Sequence, residues 1–221
     1  MAGPTMSNLQ RVQKLLDLIK NLDENNMKDY MSSFMPFLEL VSADDFEKAV
    51  RHHHHPRVVF AYTVQPQHCN RLGNMHGGAT ATLFDFCTSL ASVLLPQKTG
   101  AVEDTAADST ADSTADSTAD STADTTDAAG NAGEHEGESA EDRDVFASWR
   151  RLGVSRTLAV TYVRPAPSLT EVLIECEQVH AGKRMASLRG VLRRRKDGAV
   201  LATCDHGKVI LEQANVPTPK L

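Results

Sequence analysis

Near the start of the chain apolar residues recur at helical intervals, Leu9, Val12, Leu16 and Ile19, just after Ser7 and Gln10 at capping-box spacing. That pattern predicts a helix over about residues 8–22. A second, shorter helical stretch is expected over Met27 to Leu40. Val58, Phe60, Tyr62 and Val64 then alternate with small or polar neighbours, which is the period of a strand. From Gly78 to Leu95 the pattern changes. Leu83, Phe84, Phe86, Leu90, Val93 and Leu94 cover most of the circumference of one helix, ended by Pro96, so burial on nearly all sides is expected. A single charged residue, Asp85, sits in it. Four further strands are predicted over Arg156 to Val163, Glu171 to Val179, Met185 to Arg194 and Ala199 to Leu211, with a hairpin at Asp197-Gly198. One long helix wrapped by an antiparallel meander is an α+β layout.

Between the helix and the later strands the periodicity disappears. Ala107 to Thr122 is four copies of Ala-Asp-Ser-Thr. In a helix this period would stack Asp108, Asp112, Asp116 and Asp120 on one face, where like charges repel; in a strand it has nothing to bury. Residues 98–148 therefore read as a disordered acidic low-complexity insertion. It divides the periodic body of the chain into residues 51–97 and 149–213, with residues 1–50 as a helical N-terminal extension and 214–221 as a tail. The four histidines His52 to His55 fall in a turn between Ala49 and the strand near Val58 and are expected in a solvated loop.

The insertion also changes the meaning of the net charge. Fourteen of the 29 acidic residues lie between Ala101 and Asp144 against one base, Arg143, so this stretch carries −13 and the remainder +7, for a total of −6. A basic body suits an anionic small ligand as well as nucleic acid. No aromatic residues interleave the Arg193 to Lys196 cluster, so nucleic acid is not expected as a partner. Cys69, Cys87, Cys176 and Cys204 form no C-x-x-C pair and read as free thiols, with neither disulfides nor a metal site expected. No apolar run reaches the ~18 residues a membrane span needs. The N-terminus lacks the pattern of a secretory signal, and Pro219-Lys220-Leu221 departs from the peroxisomal tripeptide in its first residue. A cytoplasmic location is expected, with mitochondria and peroxisomes as alternatives.

The candidate chemistry is concentrated in Asn70-Arg-Leu-Gly-Asn-Met-His76-Gly77-Gly78-Ala-Thr-Ala-Thr-Leu-Phe-Asp85. Two glycines at a helix start leave backbone N–H groups uncovered, and these can hold negative charge such as an acyl-transfer oxyanion. Asp85 lies about two turns further on, where desolvation would raise its basicity unless it is paired. The same residues also suit a tight packing turn followed by an Asp that caps a neighbouring loop. A Ser155–His76–Asp85 triad of the hydrolase type is disfavoured, because neither a G-x-S-x-G elbow nor alternating strands and helices occur.

His68, Asn70, Gly73, His76-Gly77-Gly78 and then Asp85 resemble the H-x-N-x-x-G-x-x-H-G-G…D pattern of the hotdog-fold acyl-CoA thioesterase superfamily. The wording His-Gly-Gly-Ala-Thr-Ala-Thr-Leu-Phe-Asp, with Gly153-Val154-Ser155 and Thr161 to Ala166, is closest to its eukaryotic medium- and long-chain fatty acyl-CoA branch. The resemblance spans Val58 to Lys98 and Leu152 to Ile210 and implies a hotdog fold without a cofactor. It implies that Gly77 polarises the thioester carbonyl and His76 holds the turn. Asp85 would act as base or nucleophile, Asn70 would position water or substrate, and Ser155 would support Asp85. It further implies a homodimer or homotetramer whose sites are shared between chains. Lys183 and Arg184, at a turn after Gly182, are candidates for the CoA phosphates, although a charged solvated edge would look the same. A hotdog dehydratase or hydratase, and a non-catalytic acyl-CoA-binding or interaction protein, are the alternatives.

Overall fold

The computed structural model describes residues 6–24, 28–94, 145, 148–149, 151–182 and 184–210. These lie in one compact unit formed by Met1–Gln97 and Ser139–Leu221. The Ala-Asp-Ser-Thr repeat, Lys183 and the C-terminal tail lie outside the described residues.

Helix α1 (Asn8–Glu24) begins where the spacing predicts. Ser7 and Gln10 cap reciprocally: Gln10 N–H donates to Ser7 Oγ at 3.2 Å and Ser7 N–H to Gln10 Oε1 at 3.0 Å. Its apolar stripe of Val12, Leu15, Leu16 and Ile19 is buried. The second helix expected over Met27 to Leu40 does not form. Turns and a 3-10 segment, Met35–Phe37, lead into strand β1 (Leu38–Ala43). Met31, Phe34, Met35 and Leu38 do carry helical spacing and are all buried. Pro36, however, occupies the start of the short 3-10 turn, and Leu38 after it is already extended, at φ −102° and ψ 125°. The extension therefore contributes a strand to the sheet rather than a second helix. A short helix α2 (Phe46–Arg51), capped by the Asp45 side chain on Lys48 N–H, ends in the exposed His52 to His55 turn.

Strands β2 (Arg57–Thr63), β3 (Val154–Tyr162), β4 (Glu171–Ala181), β5 (Met185–Arg194) and β6 (Val200–Val209) complete a six-stranded sheet. Its order is β1-β2-β4-β5-β6-β3, and every pair is antiparallel. The chain thus crosses from β2, through α3 (Gly77–Ala91), to β3 at the far edge before returning to β4. The expectation of one four-strand meander needs correction: only β4, β5 and β6 form it, and β3 pairs with β6 alone.

The sheet wraps α3 in the hotdog arrangement. Leu83, Phe84, Cys87, Leu90 and Ala91 are at most 1% exposed, and each large apolar side chain so buried stabilises the fold by roughly 1.5–3 kcal/mol. Gly190 on β5 allows the close approach, since a Cβ there would lie 2.7 Å from the Phe84 ring and 2.8 Å from Cys204 Sγ. Burial is not complete on all sides, as the sequence led one to expect. Ala81, Thr82, Asp85 and Phe86 form a stripe that the sheet leaves half-exposed. All four cysteines are free thiols, three of them buried.

Candidate active site

The loop before α3 is tied down from several directions. Asn70 accepts through Oδ1 from Leu72 N–H at 2.9 Å and Asn74 N–H at 3.3 Å, while its own N–H donates to Asn74 O at 2.7 Å. Gly73 adopts the φ of +73° that lets this loop close. Asn70 Nδ2 has no hydrogen-bond partner among the described residues, so its two donors face outward. Behind the loop, His68 stacks on Phe34 with ring centroids 3.8 Å apart and contacts Tyr62 Oη at 2.5 Å and Ser33 Oγ at 3.1 Å. Burial pushes the Tyr62 hydroxyl up to about 12 and His68 down, which favours the neutral form of each.

His76 is the N-cap of α3. Its Nδ1 accepts from Gly78 N–H at 2.9 Å, its carbonyl accepts from Thr80 N–H at 3.0 Å, and its own N–H donates to His68 O at 2.8 Å. Gly77 N–H, the first of the helix, has no partner among the described residues. It sits in a cavity of about 400 Å³ lined by Asn70, Met75, Gly77, Tyr162 and Arg164. Gly77 and Asn70, each with a neutral donor that has no partner among the described residues, therefore line one space at the positive end of a helix dipole.

Asp85 occupies a different place. It lines a second cavity, about 500 Å³, with Met31, Phe86, Ser89, Ser155, Leu158 and Lys208. Ser155 Oγ donates to Asp85 Oδ1 at 2.5 Å, so the carboxylate is paired, and its side chain is 50% exposed rather than desolvated. Beneath it lie two buried basic side chains of β6 to which the motif gave no clue. Lys208 Nζ donates to Ser89 Oγ at 2.6 Å and reaches Ser155 Oγ at 3.4 Å. Burial lowers its pKa, and the Asp85 charge partly opposes this. His206 Nδ1 lies 2.6 Å from Thr88 Oγ1, and Nε2 lies 3.3 Å from Asp85 Oδ1 without a hydrogen bond. Burial first, and then the Lys208 charge, push His206 down to about 4 against the pull of Asp85. The Thr88 hydroxyl is donated to Phe84 O at 2.5 Å. Thr88 Oγ1 thus lies between Phe84 O and His206 Nδ1, and His206 Nε2 faces the carboxylate.

A faint sign of these residues existed in the sequence. Ala202, Cys204, His206 and Lys208 fall on one face of β6 by period two, and all four are buried. Two basic residues in the core phase of a strand need partners, and the partners are Thr88, Ser89 and Ser155. Tyr162, at the end of β3, was also missed; its hydroxyl donates to Gly77 O at 2.8 Å. Arg184 is exposed between β4 and β5 and lines neither cavity, whereas Lys183 lies outside the described residues. Among the described residues no cluster of His, Cys, Asp or Glu is suited to a metal ion, and no helix is long and apolar enough to cross a membrane.

Gly77 and Asp85 are eight residues apart on one helix, about 12 Å along its axis. A carbonyl within ~3 Å of the Gly77 N–H cannot also present its carbon to the Asp85 of the same chain.

No protein-family model and no curated protein sequence matches this chain. Solved structures do. Thioesterase superfamily member 2 from zebrafish is similar at 20% identity and a TM-score of 0.52, covering 89% of this chain and 98% of its own. The mouse protein of that name is similar at 20% identity and a TM-score of 0.52, covering 90% and 97%. At this identity the likeness establishes the fold.

Proposed function

We propose that this chain hydrolyses acyl-coenzyme A thioesters, with a fatty acyl group as the substrate class and Asp85 as the central carboxylate. The observation that carries the reading is the division of one reaction's requirements over two stretches of α3. Among the described residues, the Gly77 end offers donors without partners for an oxyanion, and the Asp85 stripe offers a carboxylate with one oxygen engaged by Ser155 and the other without a donor. Two copies in antiparallel apposition would bring the Asp85 of one against the Gly77 and Asn70 of the other. Strand β3 supports such pairing, since it is nine residues long, pairs on one side only and exposes Val154 and Tyr162. A homodimer is then the minimum active unit, and paired dimers would form a tetramer.

In this arrangement the thioester carbonyl accepts from Gly77 N–H, and Asn70 Nδ2 orients the carbonyl or the water. Asp85 takes a proton from water as the hydroxide adds to the carbonyl carbon, or it adds directly as a nucleophile. The oxyanion collapses and the C–S bond breaks; on the base route the proton passes from Asp85 to the leaving CoA sulfur, and on the nucleophile route CoA leaves first and water then hydrolyses the acyl-Asp85 anhydride, its proton going to the thiolate. His206 sets a buried imidazole beside Asp85, and Lys208 places a positive charge under Ser155. His76 serves as the brace of the glycine turn. The apolar residues Met31, Phe86, Leu152 and Leu158 that line the Asp85 cavity suit an aliphatic or aryl acyl group. The CoA phosphates are assigned to Lys183 and Arg184.

The test is release of free CoA thiol from a panel of acyl-CoA substrates of differing chain length, read with a thiol reagent. Turnover that saturates with one acyl class is expected. Tight acyl-CoA binding with no thiol release would replace this reading by a non-catalytic one, and loss of acyl-chain unsaturation without thiol release would replace it by a hydratase.

A further inference from the structure

The glycine turn at the start of α3 has a difficulty built into it. Gly77 and Gly78 have no Cβ to restrict their backbone, and the first N–H groups of any helix lack partners within it. A donor that must wait in one direction for a substrate oxygen therefore needs an external hold. His76 provides one, since its Nδ1 engages the Gly78 N–H. The other comes from β3. Tyr162 Oη donates to Gly77 O at 2.8 Å, and its ring lies against the glycine, so that a Cβ at Gly77 would meet Oη at 3.2 Å and Cζ at 3.3 Å. These contacts grip the two ends of the same peptide unit, the Gly77 carbonyl and the Gly78 N–H.

We propose that Tyr162 is a positioning residue for the Gly77 donor, a role that rests on the acyl-transfer reading above. The chain of bonds runs from the Tyr162 hydroxyl to the Gly77 carbonyl, through that peptide to the Gly78 N–H, and on to His76 Nδ1. It fixes ψ of Gly77 from one side and leaves the Gly77 N–H without a partner among the described residues. Hydrogen bonds in series polarise one another, so each end strengthens the other. Tyr162 lines the cavity that holds Asn70 and Gly77 but is 55% exposed, so its hydroxyl is not retained by burial. The same strand carries Ser155 at its other end, bonded to Asp85. Strand β3 thus orients both halves of the site, the donor through Tyr162 and the carboxylate through Ser155.

The variant Tyr162→Phe removes only the hydroxyl. Against wild type in the thiol-release assay it should lose about tenfold to a hundredfold in kcat with KM changed by less than about threefold, as for a misplaced donor. In full-length protein labelled with ¹⁵N-glycine, the Gly77 and Gly78 amide resonances should shift and the Gly77 amide exchange faster with solvent, while the other glycines stay in place. Wild-type kcat in the variant, or an unmoved Gly77 resonance, overturns the proposal. A lower Tm with full turnover per folded molecule also overturns it, because that is what a packing residue does. Should wild type itself release no thiol, the proposed reaction falls, and the Gly77 resonance still decides whether Tyr162 holds the turn.

Discussion

At the Gly77 end of α3 the candidate group is a backbone N–H, and what surrounds it is backbone: a loop closed on Asn70, an N-cap, and one tyrosine hydroxyl on a carbonyl. Two turns further on, the candidate group is a carboxylate, and what surrounds it is side chains from two other strands, Ser155 of β3 with His206 and Lys208 of β6. The first region is a matter of direction, and its cavity has no carboxylate among the described residues that line it. The second is a matter of charge, with a buried cation and a buried neutral histidine beside a half-exposed acid. Donors made of backbone can be aimed by local sequence alone, whereas a charge must be balanced by groups that the fold brings from far away. The two regions should therefore fail differently when disturbed.

The largest effect should come from the charge. Asp85→Asn keeps size and polarity but removes the base, and general-base or nucleophilic assistance contributes roughly 10²–10⁴ in rate. A fall in kcat of at least about a hundredfold is expected, with KM for acyl-CoA little changed and the fold retained. Wild-type turnover per folded molecule would reduce Asp85 to a structural residue. The next experiment separates the two regions onto different chains. Asp85→Ala and Asn70→Ala chains, each inactive, should regain activity after dissociation and reassociation. One intact site per heterodimer predicts about half the wild-type rate. Verified heterodimers without activity would place both regions in one chain's site.

A smaller effect should appear in stability against pH. His206 is held near pKa 4 in the fold, below its unfolded value of about 6.5, so between these limits the unfolded chain binds more protons. Stability is therefore greatest above pH 6.5 and declines as pH falls toward 4, by as much as about 3 kcal/mol. Chemical denaturation from pH 7.5 to 4 should show that decline, and His206→Gln should flatten it. An equal slope in both proteins would assign the loss to other groups. The smallest effect is expected from replacing residues 101–144 with a short Gly/Ser linker. Neither kcat nor Tm should move appreciably, and a large loss of either would place that stretch over one of the two regions.

The sequence by itself determined the elements that depend on near neighbours. The Ser7–Gln10 cap, the strand β2, the apolar body of α3, the Asp197-Gly198 turn with Gly198 at φ +70°, and the glycine turn at Gly77 were all legible, because each is set within a few residues. Asn70, His76 and Asp85 stood out because the motif is contiguous, and Ser155 through a resemblance to known proteins. What only the tertiary structure decided was everything that involves distance. The stretch from Met31 to Leu38 has helical spacing, yet Leu38 pairs with Tyr62 of β2, because a sheet edge offered that segment backbone partners which no local pattern records. Strand β3 follows α3 in sequence but pairs with β6, at the opposite edge from β1. That crossover places Ser155 on Asp85 and Tyr162 on Gly77, and it carries His206 and Lys208 beneath the carboxylate. Periodicity reports which face of an element is buried, but not what it is buried against. For a reactive carboxylate the second fact sets the electrostatics, and it emerges only when strands far apart in the chain lie side by side.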